Sequence, residues 1–441
     1  MFLVTMHVHA LMGAMDIISV IVEYNPIHAG HAYQLLEAKR RVGHNSAVMV
    51  VMSGFFTQRG EPALMDKWSR TRMALASGVD LVLELPFAYA CASAERFADG
   101  GVRILHATGL KSTLVFGSES GDLGQLQSLA ERLVPETSDY QAQLRACLDQ
   151  GLSFPAARQQ AIAALWPQDR LSSLLREPNN ILAVEYLKAI RRIDGCRLNP
   201  LTIQRRGQDY RDDSQSPTGA PPSAAAVRMA IQSRIRLTAS PDLAGLLQDL
   251  AGSIPDEALA ELLTAVQQGP GPLFLEDLAM PILSMLRTRQ GDFLDKVPGM
   301  GEGLGRRLAA AAARPAAQAE ARLATLLADS DTRRFARTRV QRALIALLAG
   351  LTADDHQLFD RAGGPSYLRV LGFNRKGRYL LKLMRRLAER PIITRASDFL
   401  EHGKDPALCR MAELDLIASD LWHLAAGRPC GIDFDSPVIM S

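Results

Sequence analysis

Two histidines three residues apart, His28 and His31, enclose a glycine in the segment EYNPIHAGH. A pair of this kind suits chemistry at a phosphate. Adenylyl transfer needs charge relief at the α-phosphate and little covalent help from the protein. Histidines at this spacing on the first turn of a helix share a face, so both can donate to phosphate oxygens. The helix N-terminus adds free backbone N–H groups and the positive end of its dipole. Gly30 removes a side chain that would block close approach of a nucleotide.

Further candidates follow along the chain. In SGFFTQRGEP and the residues after it, Gln58, Arg59, Asp66 and Lys67 can meet phosphates or an acidic substrate, or form a solvated polar loop. Gly117 in VFGSESG either lets the backbone approach adenine or ribose, or ends a strand. Asn179 and Asn180, ahead of ILAVEYLKAI, read as a cap pair. Arg205 and Arg206 in IQRRG suit a triphosphate or a surface charge pair. Ser223 and Arg228 in SAAAVRMAI suit a phosphate clamp, or a cap followed by an exposed arginine.

These residues need elements to hold them. DIISVIVEY, SAVMVVMSG, VDLVLELP and STLVFGSESG read as buried strands. HAYQLLEAKRRVG, with Tyr33, Leu35, Leu36 and Ala38 on or near its apolar side, residues 69–77 and AERFADGGVRILHATG read as the intervening helices. Strands alternating with helices imply parallel pairing in a layered α/β domain. Ligands in such sheets bind beyond the carboxyl ends of the strands, where Asn25, Ser53, Pro86 and Gly117 fall. The polar, proline-rich residues 208–223 read as a loop. After about residue 232 strand signals fade, and a helical pair broken at Pro315 occupies 305–328. The predicted organisation is a possible disordered extension over 1–14, a Rossmann-like nucleotidyltransferase domain over 15–232, and a separate α-helical domain over 233–441.

Composition excludes other classes. The chain has 441 residues, 47% hydrophobic and 22% charged, with a net charge of +3 from 50 basic and 47 acidic side chains. That balance is globular and gives no overall nucleic-acid signature. Any basic surface must be local, and two runs supply it. TRRFARTRVQR carries Arg337, Arg339 and Arg342; GFNRKGRYLLKLMRR carries Arg375, Lys376 and Arg378. Phe335, Phe373 and Tyr379 interleave with them, a mixture that suits an RNA backbone and splayed bases. The five cysteines, Cys91, Cys147, Cys196, Cys409 and Cys430, lack the spacing of a metal or redox motif, which points to a reducing compartment. His7 and His9 lack further ligand partners, so no metal site is expected. The longest apolar runs, at 17–22 and 344–351, are too short to span a bilayer. The first fourteen residues do not read as a secretory signal. Nothing in the sequence speaks to oligomeric state.

Taken together, EYNPIHAGH, MSGFFTQRGEPALMDKWSR, GVDLVLELPFAYACASAERFADGGVRIL, FGSESGD, REPNNILAVEYLKA, IQRRGQDY and YLRVLGFNRKGRYLLK resemble the bacterial tRNA(Met) cytidine acetate ligase family. The blocks occur in family order from about residue 17 to 383. The resemblance implies a cytoplasmic enzyme that makes acetyl-adenylate from acetate and ATP, with Mg²⁺ on the phosphates. It then acetylates the wobble cytidine of elongator methionine tRNA. Acetate needs no general base, and the mixed anhydride is already activated, so both steps ask mainly for positioning.

Carried over by position, the ATP contacts fall on Ile21, Val22, Glu23, Tyr24, Asn25, Pro26, Ile27, His28, Ala29, Gly30, His31, Ala32, Tyr33 and Gln34, then on Gly117, Asn180 and Arg205. His28 and His31 are the catalytic pair. Ile27 and Ala29 depart from the usual NPFHNGH, and Ala225 stands where a threonine is usual. Two other functions compete. One is a nucleotidyltransferase that adenylylates a small phosphorylated metabolite; the other is a non-catalytic RNA-binding protein with a degenerate nucleotide site. The long basic second half argues against the first, and the intact histidine pair against the second.

Overall fold

The structure is a computed structural model that describes residues 15–169, 171–205, 224–236, 242–268, 271–289, 291–315, 318–332 and 334–441. The expected extension over 1–14, the loop at 208–223, and the candidates Arg206 and Ser223 lie outside the described residues.

Unbroken aliphatic runs make strands covered on both faces. β1 (Ile17–Val22), β2 (Ala47–Ser53) and β3 (Leu81–Leu85) are buried at every residue. β4 (Ser112–Ser118) and β5 (Leu198–Gln204) complete a parallel set. Side chains alternate across the sheet. Ile17 and Ile21 of β1 enter the core on one face, and Ile18, Val20 and Val22 enter the core on the other. The flanking helices are α1 (Ala29–Val42), α2 (Lys67–Ala76), α3 (Ala94–Ala107), α4 (Pro178–Arg191) and α5 (Ala224–Arg236). α1 buries Leu35 and Ala38 but leaves Leu36 68% exposed, so Leu36 lies off the apolar stripe that the sequence suggested.

The strand order is β5-β4-β1-β2-β3, extended beyond β3 by strands from the second half. From β1 the chain builds outward one way through β2 and β3, and the other way through β4 and β5. That reversal opens a crevice beyond the carboxyl ends of β1 and β4, where open α/β sheets bind ligands.

The second half is mainly helical, including α6 (Arg337–Ala349), α7 (Arg375–Leu387), α8 (Pro406–Ala425) and α9 (Ile432–Asp435). The helical pair expected around Pro315 occurs, as Leu304–Ala312 and Ala319–Ser330. The fading of strand signals after residue 232 does not hold throughout. β6 (Leu368–Phe373) pairs antiparallel with β3, placing Val370 opposite Leu83. β7 (Ile392–Ile393) and β8 (Ile439–Met440) pair with β6 in turn. The run LRVLGF has the length and apolar character of a buried strand, but long helical patterns on either side obscure it. The helical half is therefore rooted in the sheet that carries the histidines. Gly372 of β6 sits so close to α2 that a Cβ there would lie 2.6 Å from Thr71 Cγ2.

Candidate active site

His28 is the N-cap of α1, in an extended backbone conformation, and His31 is the third residue of the helix. Nδ1 of His28 accepts the Gly30 N–H at 3.1 Å, and Nδ1 of His31 accepts the His28 N–H at 3.2 Å. Two of the free N–H groups at the helix start are thereby satisfied by the imidazoles themselves. A neutral imidazole accepting at Nδ1 carries its hydrogen on Nε2. Both rings therefore present Nε2–H donors. They lie 3.9 Å apart between centroids, and Tyr24 meets His31 edge-on at 5.0 Å.

Burial, helped by the positive charge of Arg205, pushes the His28 pKa down to about 4. Burial, the neighbouring His28 and Arg205 hold His31 well below the ordinary value as well. The pair is neutral at physiological pH. Gly30 has a role that the sequence reading did not anticipate: a Cβ there would lie 2.8 Å from His28 Cε1, so the missing side chain makes room for the His28 ring.

Around the pair lies one cavity of about 1030 Å³. From the segment after β1 it takes Ile21, Val22, Glu23, Tyr24, Asn25, His28, His31 and Gln34; Pro26, Ile27, Ala29, Gly30, Ala32 and Tyr33 do not line it. Ile27 is fully buried in the core instead. Gly117, at the end of β4, and Arg205, just after β5, close the crevice from the other side. A Cβ on Gly117 would lie 3.2 Å from Arg205 Cγ, so the glycine admits the arginine stem. The Arg205 N–H donates to Ser118 O at 2.9 Å.

Asn180 is buried and does not line the cavity; its Oδ1 accepts the Ser120 N–H at 3.1 Å. The expected asparagine cap of α4 is also replaced. Glu119 reaches over from the loop after β4 and accepts the N–H groups of Asn179 and Asn180, at 3.2 and 2.8 Å.

Arg59 and Arg228 line the cavity, with Arg228 ion-paired to Glu61. Lys67 does not belong with them. It is fully buried and holds Glu84 at 2.8 Å and Asp433 of α9 at 3.0 Å, so a solvent-borne phosphate cannot reach it. Its neighbour Asp66 is the N-cap of α2.

Sequence reasoning passed over Arg70, one turn further along α2. Its guanidinium donates to the carbonyls of Glu23 at 2.7 Å and Ser53 at 3.0 Å, and also to Gly54. It therefore ties together the carboxyl ends of β1 and β2, directly under the site. The only signal was its place in the block DKWSR. Cys91, one of the five cysteines, is buried beside the cavity, and burial pushes its thiol up to about 12.

The two basic runs separate. Arg337, Arg339 and Arg342 of α6 line the histidine cavity. Arg339 pairs with Glu302, Arg342 donates to Gln58 O at 3.2 Å, and Arg337 is exposed. Phe335 is buried under Arg334 and Arg339 and is not free to stack on a base. Arg375, Lys376 and Arg378 of α7 lie at the opposite end of the sheet. Lys376 Nζ donates to Asn45 O at 3.1 Å, just before β2 begins, whereas the cavity lies beyond the strand ends. The length of β2 puts roughly 20 Å between the two groups.

Residues 15–432 match the HIGH Nucleotidyl Transferase family. A protein of Acetivibrio thermocellus named tRNA(Met) cytidine acetate ligase is 39% identical over 97% of this chain and 100% of its own length. A protein of the same name from Caldanaerobacter subterraneus is 36% identical over 96% of this chain and 100% of its own length. The crystal structure of Thermotoga maritima TmcAL bound with alpha-thio ATP superposes with a TM-score of 0.86 at 32% identity, covering 97% of this chain and 99% of that one. With the paired imidazoles, the glycine and arginine beside them and full-length similarity in hand, the chain belongs to the tRNA(Met) cytidine acetate ligase family of HIGH nucleotidyl transferases.

Proposed function

We propose that the protein is an ATP-dependent ligase that activates acetate as acetyl-adenylate and acetylates the wobble cytidine of elongator methionine tRNA. The observation that carries this reading is the pair of neutral Nε2–H donors beside Arg205, in a cavity whose other wall is the arginine-bearing helix α6. Relatives bearing the ligase name match nearly the whole chain, and a structural neighbour holds an ATP analogue.

In the first step an acetate oxygen attacks the α-phosphorus, and the bond to the β-phosphate bridging oxygen breaks. Pyrophosphate leaves. His28, His31 and Arg205 offset the charge that gathers on the phosphate oxygens, and Gly117 with the segment after β1 shapes the nucleotide's bed. Arg59 and Arg228 face the phosphates or the acid from the α5 side. In the second step the cytidine amine attacks the acetyl carbonyl, the bond to AMP breaks, and the nitrogen gives up one proton. Asn180 acts indirectly, by holding the loop at Ser120.

Mg²⁺ fits as an ion carried on the ATP phosphates with its own waters. Among the described residues no group of three or more His, Cys, Asp or Glu side chains forms a metal cage. On this reading residues 15–232 carry the nucleotide chemistry and 233–441 carry tRNA, with Arg337, Arg339 and Arg342 nearest the reacting base. Arg375, Lys376 and Arg378 serve more remotely. No helix among the described residues is long and apolar enough to cross a membrane, and a tRNA substrate fits a cytoplasmic enzyme.

ATP–pyrophosphate exchange with and without acetate, followed by acetyl transfer to purified methionine tRNA, tests the reading. Acetate-dependent exchange and acetylcytidine are expected. Exchange driven instead by a phosphorylated metabolite, or ATP binding without turnover, would overturn it.

A further inference from the structure

We infer that the outer face of α7 grips the body of the tRNA, away from the anticodon stem-loop whose base is modified. The inference rests on the tRNA reading above and divides the RNA between two surfaces of the protein.

α7 has the sequence RKGRYLLKLMRRL, with six cations and no acid. Arg375, Arg378, Lys382, Arg385 and Arg386 are exposed and recur at helical spacing along one face. No side chain among the described residues pairs with any of the five. The acids near the helix are already engaged. Asp80 accepts the Val48 N–H at 2.7 Å and Asn374 Nδ2 at 2.8 Å, and Glu389 pairs with Arg197 at 2.7 Å. Tyr379 is 40% exposed within the stripe. A solvated helix face ordinarily mixes both signs of charge. A stripe of one sign with an open aromatic has the chemistry of a phosphate-backbone contact.

The position of α7 decides which part of the RNA it meets. The Asn374 N–H, at its cap, donates to Asp80 O at 3.0 Å, just before β3. Lys376 binds Asn45 O just before β2, and a Cβ at Gly109, before β4, would lie 2.2 Å from Leu387 O. The helix therefore runs across the amino ends of β2, β3 and β4, while the histidines stand beyond the carboxyl ends. It is also firmly seated, since a Cβ on Gly377 would lie 1.8 Å from Asp80 O. A hairpin that delivers its loop base to the cavity is committed there. A contact with the far side of the sheet falls to a more distant part of a folded tRNA.

The test compares full-length methionine tRNA with its isolated anticodon stem-loop, using wild type and the triple variant Lys382→Gln, Arg385→Gln, Arg386→Gln. These side chains are exposed and the histidine cavity does not include them. The expected result is about a tenfold or greater loss of affinity for full-length tRNA, with the salt dependence reduced by about two to three counterions. Stem-loop affinity and acetate-dependent pyrophosphate exchange stay at wild-type levels. Equal losses on both RNAs would overturn the inference by assigning α7 to the anticodon, and no loss on either would leave a merely solvated face. Failure of the wild type to bind or acetylate full-length tRNA would sink the tRNA reading itself.

Discussion

The His28 backbone N–H donates to Nδ1 of His31 at 3.2 Å, while the two rings lie 3.9 Å apart. One contact thus starts the helix and sets the tautomer of the His31 side chain. His28 repeats the arrangement toward Gly30. Side chains that usually cap a helix with oxygen are here replaced by imidazole nitrogens. Each ring uses its inner nitrogen for structure and leaves the outer N–H unused by the helix cap. Donors fixed before substrate arrives need little reorganisation during reaction.

The two jobs separate in His28→Asn. Asparagine is a good N-cap, so the fold should stay within about 1 kcal/mol of wild type. It lacks a donor at the Nε2 position. Acetate-dependent ATP–pyrophosphate exchange should fall by roughly 10²–10³, the usual loss when one preorganised donor is removed. A folded Asn variant with near-normal exchange would show that Nε2 does not meet the reacting phosphate.

Arg205 should contribute to the acid side of the pH profile. His28 is held at about 4 by burial first and Arg205 second, below its ordinary 6.5. As pH falls through that window the unfolded chain takes up a proton that the folded chain refuses. Stability therefore declines from about pH 6.5 toward 4. Protonation at Nδ1 would also set an N–H against the Gly30 N–H and break the cap. Arg205→Gln removes a positive neighbour, so the His28 pKa should rise, moving the acid limb of kcat/KM to higher pH. Imidazole NMR titration reads the shift directly; an unchanged limb would detach Arg205 from the histidines.

Much of this was legible in the residues, and the illegible parts share a cause. β1 through β4 announce themselves as aliphatic runs ending in Asn25, Ser53, Pro86 and Gly117, so the crevice could be located before any coordinates. Arg70 and Lys67 could not be sorted that way. Both lie in DKWSRTR, and their functions depend on what the fold places around them: four backbone carbonyls for Arg70, two buried carboxylates for Lys67. β6 escaped because its partner, β3, lies almost three hundred residues earlier. The opposite placement of α6 and α7 was hidden for the same reason, since both read simply as basic helices.

Lys67→Met therefore predicts a stability defect rather than an ATP-binding defect. It would strand Glu84 and Asp433 together in the interior, and breaking such a buried pair typically costs about 3–5 kcal/mol. Chemical denaturation should show this loss, and the triple change Lys67→Met, Glu84→Gln, Asp433→Asn should recover a large part of it. The fraction that stays folded should keep an ordinary KM for ATP. A raised KM with unchanged stability would return Lys67 to the substrate.

The loop at 57–61 joins the segment after β1 to α5 and α6, and at Gly60 it packs directly against the α6 backbone. The Gln58 N–H donates to Glu23, which lines the histidine cavity, at 2.6 Å, while Gln58 O accepts from Arg342 of α6. Glu61 holds Arg228 of α5 on one side and Gln341 of α6 on the other, the latter at 3.2 Å. Gly60 has a φ of 76°, and a Cβ there would lie 2.2 Å from the Arg342 backbone nitrogen. Gly60→Ala meets both the left-handed strain, about 1–2 kcal/mol, and a backbone clash. The clash is relieved by separating α6 from the loop. Arg337 and Arg342 move with that helix, whereas His28, His31 and Arg205 are positioned by other elements. Single-turnover measurements should then split the reaction. Acetyl-adenylate should form within about threefold of wild type, while acetyl transfer to tRNA slows at least tenfold, the effect expected when a reacting group is misplaced by an ångström or so. Proportional slowing of both steps would mean that the loop serves the ATP site alone and that α6 takes no part in presenting the cytidine.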